Sequence, residues 1–159
     1  MQVVHTIPPV FDKESRVLIL GSFPSVRSRE VGFFYGHPQN RFWKTLSSVF
    51  NTEAPGTIEE KKAFLLAHRI ALWDVIATCE IKGSSDSSIK NATANDVLSL
   101  IKQTGITKIY TNGGTAHRLY CRYLQSHVGI EATCLPSTSP ANAAWGLERL
   151  VAAWRVIVQ

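Results

Sequence analysis

Four short apolar runs, each closed by turn-forming residues and separated by stretches with helical spacing, leave this chain few ways to fold. Residues 17–20 (VLIL) run into Gly-Ser-Phe-Pro-Ser, and residues 70–77 (IALWDVIA) lead into a long polar stretch. Residues 108–112 (KIYTN) run into a Gly-Gly pair, and residues 131–135 into Pro-Ser-Thr-Ser. A brief apolar run bounded by turn residues reads as a buried strand. Between these runs, Phe42, Trp43, Leu46, Val49 and Phe50 recur on one helical face, and Pro38 suits that helix's first turn. Thr57 with Glu60 forms a capping box for a helix ending near His68. Further helices are expected at 95–103, at 115–126 and at 144–158, the last burying Trp145, Leu147, Leu150, Val151 and Trp154. Strands alternating with helices imply a parallel sheet covered on both faces. The expectation is one α/β domain over residues 1–159, three-layer α/β/α with a central four-stranded parallel sheet.

In such sheets, ligands bind at the carboxyl ends of the strands. The loops at those ends are GSFPSVRS, a long segment containing KGSSDSS, NGGTAH and LPSTSPANA. They should converge on one cleft, with residues 35–40 (YGHPQN) close enough to join them. KGSSDSS carries no core residues and reads as a polar loop.

Composition narrows the chemistry. Net charge is +5 and the pI about 9.3, a balance that suits a polyanionic partner. No lysine block is present, so a basic surface must be assembled by folding, from residues such as Arg27, Arg29, Arg41 and Lys44. The three cysteines, at 79, 121 and 134, lack metal or disulfide spacing. The five histidines lack HxxxH-type ligand spacing, so neither metal nor cofactor is expected. His117 and His127 read as helix-surface residues. No apolar run approaches the roughly 20 residues a membrane span needs, and the N-terminus lacks a secretion-signal pattern. A cytoplasmic or otherwise intracellular protein without membrane association is expected. GxGxxG, GxxxxGK[ST] and GxSxG motifs are all absent, which removes the usual physical basis for dinucleotide, P-loop and nucleophile-elbow chemistry.

The richest stretch is residues 35–43, YGHPQNRFW. Together with GSFPSVRS after the first strand and LPSTSPANA after the last, it resembles the motifs of the uracil-DNA glycosylase superfamily. The closest likeness is to its hypoxanthine-DNA (deoxyinosine) glycosylase branch, and it extends from Val17 to about Trp154. The resemblance implies an enzyme without metal that flips a deaminated base out of double-stranded DNA and hydrolyses its N-glycosidic bond, acting as a monomer. Two departures separate the chain from the uracil-specific relatives. Phe23 stands where mismatch-specific members carry Asn, and Leu135-Pro136-Ser137-Thr138 lacks the His common in the last motif.

Residue roles follow from that resemblance. Asn40 would accept a hydrogen bond from the attacking water and aim it, although Asn is equally suited to capping the following helix. Tyr35 and Phe23 would stack on the base. Backbone N–H groups at Gly21, Ser22 and Phe23 would hold a base carbonyl. Asp74, an acceptor when ionised, would meet the ring N–H of hypoxanthine or uracil, unless it caps a turn. Asn112 would read the base or support the glycine pair. Ser25, Arg27, Ser84, Ser85, Ser137, Thr138 and Ser139 would touch DNA phosphates. Alternatives that share this fold are a uracil or mismatch-specific glycosylase, a non-catalytic lesion binder, and an enzyme acting on free nucleosides. The donor that protonates the leaving base has no candidate in the sequence.

Overall fold

The computed structural model describes residues 2–158. Strands β2 (Val17–Gly21), β3 (Ile70–Asp74), β6 (Lys108–Asn112) and β7 (Ala132–Leu135) form a parallel sheet in the order β3-β2-β6-β7. The expected four-stranded parallel sheet is therefore present. Its inner strands are buried on both faces, while the edge strand β7 leaves Thr133 and Cys134 exposed, and β2 alternates accordingly. Ile19 joins a core with Phe34, Phe42, Leu46 and Trp154, while Leu18 and Leu20 join another with Val97, Leu100 and Tyr120. The first face is covered by α2 (Phe42–Val49), α3 (Ile58–Ala67) and α7 (Leu147–Trp154). The second is covered by α4 (Val97–Lys102) and α5 (Gly114–Tyr123). The Thr57–Glu60 capping box is formed, with both reciprocal bonds at 3.1 Å. Among the described residues no helix is long and apolar enough to cross a membrane.

The run at 70–77 is not one strand. β3 ends at Asp74, and after Val75 the chain enters β4 (Ile76–Glu80), which belongs to a second sheet. That sheet is antiparallel, in the order β1-β4-β5, with β1 at Gln2–Val4 and β5 at Lys90–Ala94. The bend at Val75 is held from several sides. Val75 and Ile76 donate to the carbonyls of Gly21 and Ser22 at 2.8 and 3.1 Å. The Asn95 amide bonds the carbonyls of Asp74 and Ile76. Periodicity missed the break because β3 and β4 are joined by one apolar residue, which leaves no turn signal.

Three other expectations change. Pro38 lies in a turn before α2, which begins only at Phe42. The segment 115–126 is interrupted at Leu124, giving α5 and a short α6 (Gln125–Val128). The last helix starts at Leu147, so Trp145 precedes it, and Leu147 is itself exposed.

Candidate active site

The strand order reverses direction at the β2–β6 pair, since β3 lies to one side and β7 to the other. A crevice opens at such a switch point, outside the carboxyl ends of the strands. Here it is a cleft of about 340 Å³, at the small end of the range for small-molecule sites (roughly 300–1,000 Å³).

Asn40 lines this cleft, and its orientation is fixed by a chain of hydrogen bonds. The Asn112 amide Nδ2 donates to Thr138 Oγ1 at 3.0 Å, and the Thr138 hydroxyl donates to Asn40 Oδ1 at 2.9 Å. The Phe42 backbone N–H also donates to Asn40 Oδ1 at 2.9 Å. Asn112 Oδ1 in turn accepts from the Thr138 N–H at 3.0 Å. Asn40 therefore serves the start of α2 and faces the cleft at once, so the two expected roles coexist. Both lone pairs of its carbonyl oxygen are engaged, and its Nδ2 has no hydrogen-bond partner among the described residues. The amide thus has two N–H groups left to offer.

Asn112 and Thr138 depart from their expected roles. Thr138 is fully buried, and its hydroxyl is spent on the relay rather than free for a phosphate. Asn112 holds Thr138 with both ends of its amide and so supports Asn40.

The floor of the cleft is Asp74, 3 % exposed. Its Oδ2 lies 2.8 Å from His5 Nε2, and His5 itself packs against Phe23 and Phe34. Asp74 caps no turn with its side chain; its buried partner is an imidazole from the N-terminal segment. Sequence reasoning missed His5 because a lone histidine seventy residues away carries no spacing signal. A Cβ on Gly21 would stand 2.4 Å from Asp74 Oδ1 and 2.9 Å from Tyr35 Oη. Only glycine lets these two polar groups converge on the end of β2.

Tyr35 is the strained member. Its φ of 54° places a bulky residue in the left-handed region, at a cost on the order of 1–3 kcal/mol. Its ring stacks on Phe42 with centroids 4.0 Å apart. Its phenol oxygen is buried without a hydrogen-bond partner; Asn112 approaches it outside bonding geometry. Burial, then the charge of Asp74, pushes this phenol far above its ordinary range, so it remains a neutral O–H. Phe23 lines the cleft but is 6 % exposed and packed into the second core. No described hydrogen bond uses the N–H of Ser22 or Phe23, which leaves these two donors at the mouth of β2.

The loop at 83–88 is docked rather than free. Ser84 Oγ accepts from the Val26 N–H at 2.9 Å, Arg29 donates to the Gly83 carbonyl at 2.7 Å, and Ser22 Oγ donates to Asp86 Oδ2 at 2.6 Å. These bonds bring Asp86, a residue that sequence reasoning passed over as loop polarity, to the cleft wall. Burial, reinforced by Asp74, raises the Asp86 carboxyl above the usual range despite the opposing Ser22 bond.

The expected phosphate contacts divide. Ser25 caps α1 (Val26–Val31) by accepting from the Ser28 N–H, and it lines the cleft with Ser84, Ser137 and Ser139. Ser85 lies outside the cleft, in the adjoining groove. Arg27 is exposed on α1 beside Glu30, away from the cleft. Arg41 is not a surface cation. Its guanidinium binds three backbone carbonyls of the last loop, those of Trp145, Ser139 (2.9 Å) and Asn142 (3.1 Å). Among the described residues no group of three or more His, Cys, Asp or Glu side chains is arranged to hold a metal.

A sequence profile of the Uracil DNA glycosylase superfamily matches residues 8–157. The chain belongs to this superfamily. Hypoxanthine DNA glycosylase of Methanosarcina acetivorans is 34% identical over 143 residues, covering 89% of this chain and 90% of its own. Hypoxanthine DNA glycosylase of Methanosarcina barkeri is 32% identical over 136 residues, covering 85% of each chain. A solution NMR structure from Methanosarcina acetivorans, provisionally described as a uracil DNA glycosylase, superimposes over 100% of both chains with a TM-score of 0.81 at 31% identity. Superfamily membership gives the convergence of five loops on one cleft its context: the fold delivers them there.

Proposed function

We propose that the protein is a monofunctional DNA glycosylase that takes a deaminated base, hypoxanthine first, into this cleft and hydrolyses its N-glycosidic bond. The observation that carries this is the pairing of Asn40, held by the Asn112–Thr138 relay, with Asp74, a buried acceptor on the cleft floor. Hypoxanthine presents N1–H as a donor, which an ionised carboxylate accepts. Adenine presents a bare lone pair at N1 and is repelled. Uracil N3–H meets the same demand, which makes uracil the secondary substrate.

Breaking the bond builds positive charge on the sugar and negative charge on the base, and the enzyme gains rate by stabilising both. Water attacking so electrophilic a carbon needs placing more than activating. Asn40 places it through one amide N–H, donating to the water oxygen, which leaves that oxygen's second lone pair for C1′. This corrects the expectation that Asn40 accepts from the water. Tyr35, backed by Phe42, offers the stacking face, and the N–H groups of Ser22 and Phe23 take a base carbonyl. Extrusion costs least at a mismatched pair, so inosine in a wobble pair in double-stranded DNA is the preferred target. One chain supplies every group named, so a monomer suffices, and its place is with the DNA inside the cell.

The test is incubation with an end-labelled duplex carrying one deoxyinosine, followed by alkali. Strand scission at the lesion, absent from an adenine control, with free deoxyinosine left intact, supports the reading. Lesion binding without scission would leave a binder on a glycosylase scaffold.

A further inference from the structure

Purine departure calls for a proton on the base, and the cleft offers four titratable groups to give it: Tyr35, His37, Asp74 and Asp86. Three are poorly suited. The Tyr35 phenol is held too far above its ordinary range to release a proton. His37 Nδ1 accepts from the Gln39 N–H at 3.1 Å, so that ring nitrogen is spent on its own turn. Asp74 is held by His5 on the buried floor, where an acceptor is needed.

Asp86 differs in place and in surroundings. It enters from the β4–β5 loop, so it approaches from the wall rather than the floor. Its Oδ2 takes the Ser22 hydroxyl at 2.6 Å, and no partner is described for its other oxygen. No cation neutralises it among the described residues. The nearby Arg29 guanidinium donates to the Gly83 carbonyl and lies over the Phe23 ring, 5.5 Å from its centroid, its buried Nε without a hydrogen-bond partner among the described residues. The remaining neighbours are Asp74, whose charge favours the protonated form, Tyr35, and the buried thiol of Cys79, itself pushed up by burial. Two carboxyl groups in one cleft, one bonded to a buried imidazole and one holding only a hydroxyl, are an arrangement that separates an acceptor from an acid. A base entering the cleft would strip water from Asp86 and favour its protonated form further.

We propose that Asp86 is the acid that protonates the departing purine, with Ser22 aiming its carboxyl and Asp74 kept as the acceptor. The proposal rests on the glycosylase reading above. The Asp86 O–H passes its proton to a ring nitrogen as the C1′–N9 bond breaks and its electron pair moves onto the purine. The water oxygen bonds to C1′, and the proton it sheds returns through solvent to the Asp86 carboxylate. One water is consumed; free base and a 1′-hydroxyl are formed.

The test is single-turnover excision of deoxyinosine from a duplex across pH 5–9, for the wild type, Asp86→Asn and His37→Gln. Asparagine keeps an acceptor for Ser22. Binding is measured in parallel to a duplex carrying 2′-fluorinated deoxyinosine, whose glycosidic bond resists hydrolysis. The wild-type rate should fall as pH rises, and His37→Gln should keep that fall. Asp86→Asn should be slower by about 10²–10⁴-fold, the usual worth of a general acid, and should lose the pH dependence with binding unchanged. An Asp86→Asn enzyme that keeps the wild-type profile overturns the proposal, as does a parallel loss of rate and binding. A profile lost in His37→Gln instead overturns it as well. A wild type that excises nothing sinks the glycosylase reading itself, which the other outcomes leave standing.

Discussion

Each side chain in the cleft is held in place by another residue, so single substitutions should act through geometry. Gly21 is the sharpest case. Alanine would drive Cβ to 2.4 Å from Asp74 Oδ1 and 2.9 Å from Tyr35 Oη, so one or both must leave the end of β2. Gly21→Ala is expected to keep the native circular dichroism spectrum and lose most excision activity; full activity would show that the convergence at β2 is dispensable. Asp86 carries a stability signature of its own. Its folded pKa is raised, so its titration favours folding most at low pH, below the unfolded value of about 3.9. That advantage fades as pH rises through the folded value. Asp86→Asn should therefore match the wild type near pH 3 and gain on it towards neutrality in urea titrations. A constant offset at all pH values would mean that burial is not what sets this carboxyl.

At the level of elements, Arg41 ties the start of α2 to the last loop. Three carbonyls spread over residues 139–145 converge on one guanidinium, and the Arg41 N–H adds a bond to the Thr138 carbonyl at 3.0 Å. Lysine carries its donors on a single nitrogen and lacks the planar fork that spreads them over these carbonyls. Arg41→Lys is expected to cost about 1–3 kcal/mol, read as a fall in Tm, and to slow excision by loosening the Thr138–Asn40 contact. An unchanged Tm would show that the loop holds itself. This clamp also marks where sequence reasoning stops. The parallel strands, the capped α3 and the convergence of loops were legible, because apolar runs, a Thr-x-x-Glu box and turn residues are local signals. Asn40, Tyr35 and Asp74 were legible through motif resemblance. The role of Arg41, the His5–Asp74 pair and the docking of Asp86 on Ser22 were not. Each joins residues 64 or more apart through polar contacts that leave no periodic trace. The second sheet was hidden for a related reason: β5 (KNATA) is mostly polar and exposed, and β4 follows β3 without a turn.

For the molecule as a whole, a net charge of +5 should make DNA affinity fall steeply with salt as condensed counterions are released. Excision at saturating enzyme should change far less, since the reacting groups are enclosed. A single-turnover rate that falls as steeply as affinity would place phosphate contacts inside the chemical step. The central claim is that an amide at position 40, fixed by Thr138 and Asn112, directs water onto the sugar of an extruded deoxyinosine. Its most direct test is the single-turnover excision rate of Asn40→Ala on a duplex containing one deoxyinosine, with binding to the same duplex measured alongside. The account predicts a rate lower by about 10²–10³-fold at nearly unchanged affinity. An alanine enzyme that excises hypoxanthine at the wild-type rate would contradict it.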